Sequence, residues 1–192
     1  FRLVGLLAKQ LQPAEARNAL DFGLSRLELG MDTSDGDGPW RASLLLQTSM
    51  DAAVAGYVWA ALAAPEAQYR WEAAHVVRGL CKLGCDECVD QLMTWISTKP
   101  PTQFSDEGLF HYVLHARQWL LMGIARAAVD HPISIARFFD LLKSVALEGE
   151  PHVLIRELAA RTAVSISSIL PNVDKGVISS LNAVNKPIIN PN

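Results

Sequence analysis

The chain has 192 residues, of which 50% are hydrophobic and 19% charged. That is enough apolar material for a sizeable core, and it excludes disorder over most of the length. With 17 Lys and Arg against 20 Asp and Glu, the net charge of −3 excludes a uniformly basic nucleic-acid or membrane surface, though not a local basic face.

Helical periodicity is nearly continuous along the chain. Leu3, Leu6, Leu7 and Leu11 form a first stripe that breaks at Pro13. Pro is permitted in a first helical turn, so Pro13 to Leu29 reads as a helix with Ala16, Leu20, Leu24 and Leu27 on one face. The turn residues from Gly30 to Pro39 predict a loop. A helical stretch from Ser43 to Ala64 follows, broken near Thr48–Ser49, where Ser49 suits a cap. Ala52 to Ala64 is the longest apolar run, short of the roughly 18 residues of a membrane span. Helices are then expected over Pro65–Leu83, ended by Gly84, and over Asp86–Ile96. A loop from Thr98 to Gly108 leads to a long helix, Leu109–Val129. After the His131–Pro132 turn come Ile133–Leu147, ended by Gly149, and Pro151–Leu170. The last helix is expected over Val173–Val184 with Asn172 as its cap, followed by a loose tail from Asn185 to Asn192.

Two segments repeat one pattern. PEAQYRWEAAHVVR (65–78) and PHVLIRELAARTAV (151–164) both start with Pro, place Arg five residues later and an Ala pair three residues after that. Pro65, Arg70, Ala73 and Ala74 thus correspond to Pro151, Arg156, Ala159 and Ala160, an offset of 86 residues or two periods of about 43. Periods of about 40–47 residues characterise HEAT and armadillo arrays. The expected fold is therefore an all-α superhelix, a HEAT/armadillo-like solenoid of about eight antiparallel helices, spanning residues 1–184 as one domain. The Ala pair lets neighbouring helices approach closely, and each Arg is expected to reach acceptors in the adjacent turn. The intervening repeat is best matched by RQWLLMGIAR (117–126), with Arg117 in the Arg position and the pair replaced by Leu120–Leu121.

The chemical motifs are weak. Cys81, Cys85 and Cys88 have the C-x3-C-x2-C spacing of a radical-SAM iron–sulfur motif, but no strand precedes them and Glu87 stands where that motif has an aromatic residue. A zinc site would need a fourth ligand, and His75 lies six residues before Cys81, off its face. The bland reading is that the cysteines pack as small apolar residues. His111 and His115 are four apart on one face, but Tyr112 stands where a zinc protease needs Glu. Asp32, Asp35 and Asp37 fit no register of a calcium loop. No phosphate loop, dinucleotide fingerprint or nucleophile elbow is present, so no catalytic residue, metal site or cofactor is assigned. Three cysteines within eight residues are not a disulfide framework and suit a reducing cytoplasm.

One stripe has the composition of a binding surface. Trp71, His75, Arg78 and Lys82 share one side of the Pro65 helix, with Tyr69, Ala73, Val76 and Leu80 on the other. The competing reading is that Trp71 packs against a neighbouring repeat; His111, His115 and Gln118 would then be the alternative face.

DGPW (37–40) with ALAAPEAQYRWEAAHVVRGL (61–80), and above all R-W-x-A-A-H-x-V-R-x-L (70–80), resembles a helical-repeat region of large bacterial ATP-binding proteins similar to STAND-type signal-transduction NTPases. The resemblance covers about a quarter of the chain. It implies a HEAT-like or tetratricopeptide-like sensor array behind a P-loop NTPase module, some members of the group serving in anti-phage defence. The P-loop is absent here, so ATP binding would belong to another part of the parent. A start at Phe1 without Met fits a piece of a longer protein.

These readings converge on a non-catalytic, cytoplasmic scaffold for protein–protein recognition or sensing, with Trp71, His75 and Arg78 as the partner-binding surface and another protein, or another part of its own chain, as partner. One alternative is a metalloprotein or enzyme fragment built on Cys81, Cys85 and Cys88. Another is a helical-repeat nucleic-acid binder using Arg70, Arg78, Arg117, Arg126, Arg156 and Arg161.

Overall fold

The structure is a computed structural model that describes residues 11–30, 49–98, 100, 104–105 and 110–186. The Leu3–Leu7 stripe, the Asp32–Asp37 loop and the tail beyond Lys186 lie outside the described residues. Among the described residues there are nine helices and no strand. They are α1 (Pro13–Gly30), α2 (Met50–Leu62), α3 (Ala67–Leu83), α4 (Asp86–Ser97), α5 (Phe110–Asp130), α6 (Pro132–Ala136), α7 (Phe139–Leu147), α8 (Val153–Ser167) and α9 (Lys175–Ala183).

Local chemistry sets many of the helix ends. The Ser49 hydroxyl accepts from the Ala52 amide and starts α2. Gly84 ends α3 with φ 68°, a left-handed conformation that costs glycine little, and its amide donates back to the Cys81 carbonyl. At α9 the expected cap is replaced. Asp174 accepts from the Gly176 amide, while Asn172 takes φ 61° in the turn before it. The expected Ile133–Leu147 helix is divided into α6 and α7. Arg137, at the break, donates to the Ser134 carbonyl and pairs with Asp86 and Asp90 of α4. A tertiary ion-pair site on α4 thus holds the turn in a segment whose own periodicity is continuous.

Packing joins α3 to α5 and α5 to α8, with α2 against α3, α4 and α5, α7 against α8, and α9 against α8. Arg70 faces Trp119, His75 faces Arg126, and Arg78 faces Asp130. The paired numbers rise together, so α3 and α5 run side by side in the same direction. Ala73 of α3, Ala116 of α5 and Ala159 of α8 stand two steps of 43 residues apart. Ala73, Ala116 and Ala159 occupy one register and are each 0% exposed. The middle repeat therefore lies four residues away from the register expected from Arg117. Ala116 takes the first alanine position, Arg117 the second, and Val113 the arginine position.

The alanine contacts are close. A Cβ on Gly123 of α5 would lie 2.8 Å from the Ala74 carbonyl oxygen and 3.0 Å from the Val77 Cβ. The two arginines of the repeated pattern also act alike. Arg70 donates to the Ala64 and Pro65 carbonyls, and Arg156 donates to the Ala146 carbonyl, so each ties its helix to the segment before it.

Candidate functional site

The side of α3 that carries Trp71, His75 and Arg78 faces solvent, while Ala73, Val76 and Leu80 are buried behind it. Tyr69, expected on the buried side, is also exposed. Helix α5 supplies the other half of the ridge. The Arg126 guanidinium lies over the Trp71 ring, 4.3 Å from its centroid, and its Nη1 is 3.5 Å from His75 Nε2. Trp71 meets His75 edge-on at 4.8 Å and Trp119 edge-on at 6.2 Å. Arg78 donates to Asp130 at 2.6 Å. Burial, then the Arg126 and Arg78 charges, push the His75 imidazole below its ordinary range, which favours a neutral ring.

The ridge continues toward the starts of α5 and α8. The Arg70 guanidinium lies over the Trp119 ring at 5.6 Å. His115 is pushed below its ordinary range by burial, then by Arg70, His111 and His152. Arg117 pairs with Glu150, a largely buried carboxylate that also accepts the His152 amide and so fixes the approach to α8. The Arg70 Nε, His115 Nδ1 and Arg117 Nε atoms are buried without a hydrogen-bond partner.

The six arginines considered for a nucleic-acid stripe do not form one. Arg70 and Arg156 serve backbone carbonyls, Arg78 and Arg117 serve carboxylates, and Arg126 stacks on Trp71. Arg161 lines a separate cleft of about 400 Å³ between α8 and α9, together with Glu157, Ser165 and Lys186.

The cysteines stand at the α3–α4 corner: Cys81 in α3, Cys85 at the cap of α4 and Cys88 in its first turn, all buried. Burial pushes the Cys81 and Cys88 thiols up to about 12, and it raises Cys85 against the lowering effect of Arg17. Burial thus favours the neutral thiol at Cys81 and Cys88. Among the described residues no group of three His, Cys, Asp or Glu is placed to hold a metal ion, and no helix is long and apolar enough to cross a membrane.

Trp71, His75 and Arg78 were accessible to sequence reasoning because one helix carries them at steps of four and three. Trp119 and Asp130 were missed, and Arg126 was considered only for a nucleic-acid stripe, because their part depends on how α5 registers against α3; the only signal was the 43-residue step itself. Comparison with known proteins gave no matching family model, no matching curated protein and no matching solved structure.

Proposed function

We propose that the chain is a HEAT-like helical-repeat scaffold whose exposed α3–α5 ridge recognises a protein partner, and that it has no catalytic activity of its own. The observation that carries the reading is the ridge: exposed Trp71, His75 and Arg78 gathered with half-buried Arg126 on two helices whose equivalent buried alanines stand 43 residues apart. Equal steps, equivalent buried alanines and equivalent arginine ties support a superhelical array, which presents extended surfaces for binding. Trp and Arg contribute disproportionately to interfaces when desolvated. In this reading the array is a sensor within a multidomain bacterial ATP-binding parent, which the resemblance of residues 70–80 suggests, and the three unpaired thiols fit a cytoplasmic setting.

The test is affinity purification from the source organism with the wild-type chain and Arg78→Ala as baits. Arg78 forms an exposed ion pair, so its loss should cost at most about 1 kcal/mol of stability. A protein retained by the wild type and lost from an equally folded Arg78→Ala supports the reading. Equal retention of every captured protein by both baits contradicts it.

A further inference from the structure

Charge is distributed unevenly in this acidic chain. Helices α3, α5 and α8 carry seven of the 17 Lys and Arg but only three of the 20 Asp and Glu. Three of the five histidines lie on the same helices, and His152 caps α8. Helix α4, by contrast, carries Asp86, Glu87 and Asp90 and no basic residue.

Two of these arginines already bind carboxylates from their own chain. Asp130 sits on Arg78 at one end of the ridge, and Glu150 sits on Arg117 toward the other. Between them, Arg126 has no carboxylate partner among the described residues. Its guanidinium lies over the Trp71 ring, with His75 beside it. A planar guanidinium fixed on an aromatic ring loses little side-chain freedom when it takes a carboxylate in a bidentate fork.

We propose that the partner is an acidic protein segment, and that it places a carboxylate on Arg126 and an apolar side chain against Trp71 and Trp119. This rests on the recognition reading above and names the chemistry of its partner. The surface suits such a segment better than a nucleic acid. Arg70 and Arg156 serve backbone carbonyls, Arg78 and Arg117 serve carboxylates and Arg161 lines a separate cleft, which leaves Arg126 as one cation rather than a track for phosphates.

The test is selection of random displayed peptides of about a dozen residues against the folded chain, followed by fluorescence titration of a synthesised winner. The expected winners pair Asp or Glu with an aromatic or aliphatic residue. Their affinity should fall at least about tenfold in Arg126→Gln and less in Arg126→Lys, which keeps the charge but not the planar fork. Both variants are checked for native circular dichroism, and changing the peptide's Glu to Gln should lose binding in parallel. Neutral or basic winners, or acidic winners indifferent to Arg126, overturn the proposal. So does labelled oligothymidylate that binds more tightly than any peptide and depends on Arg126. Neutral winners that still need Trp71 and Arg78 would overturn the acidic partner and leave the recognition reading standing. No winner, with no partner lost on Arg78→Ala, would overturn both.

Discussion

Arg126 and His75 divide one small volume between a fixed charge and a titratable ring. Burial first, then the nearby charges, lowers the pKa of both His75 and His115 below the ordinary imidazole range. A histidine with a lowered pKa in the folded chain takes up its proton later than in the unfolded chain as pH falls. Its effect on stability is therefore absent above the ordinary value of 6.5 and becomes a loss as pH falls from there toward the folded value. The melting temperature should drop between about pH 7 and pH 5, and His75→Gln combined with His115→Gln should flatten the drop. An identical slope in the double variant would show that neither ring is held neutral by the fold. Much of this environment was invisible in the sequence. The spacing of Trp71, His75 and Arg78 was enough to place them on one face. That Arg126 would lie over Trp71, and Arg70 over Trp119, depends on a helix registry that no local pattern encodes.

At the scale of helices, the seam between α3 and α5 is set by small residues on both sides. Ala74 and Val77 leave room for Gly123, and nothing larger fits without moving backbone. Gly123→Ala would gain helix propensity elsewhere, but here it drives a methyl against the Ala74 carbonyl. The expected outcome is a loss of about 1–3 kcal/mol in denaturant unfolding. A neutral or stabilising result would mean that the seam is looser than described. Most element positions were legible from periodicity, proline and glycine, because those signals are local: Ser49, Pro13 and Gly84 each stand where their chemistry requires. The split between α6 and α7 was not, because Arg137 answers to two carboxylates on α4 rather than to its neighbours in sequence. The register of the middle repeat was missed for a related reason. Ala116 is as buried as Ala73 and Ala159, but the arginine that marks the outer repeats is Val113 there, and Arg117 drew the alignment one helical turn away.

For the whole molecule, the central claim is that the ridge of Trp71, His75, Arg78 and Arg126 is an open recognition face and not a seam awaiting another helix. Hydroxyl-radical footprinting, read by mass spectrometry at each tryptophan, tests it in the protein as expressed from its own gene. Trp59 is 0% exposed and serves as the internal buried standard, against 36% for Trp71. The account predicts that Trp71 is oxidised well above Trp59, at the rate seen in the 192-residue chain alone. Protection of Trp71 to the level of Trp59 in the intact protein would contradict it and make the ridge a packing surface.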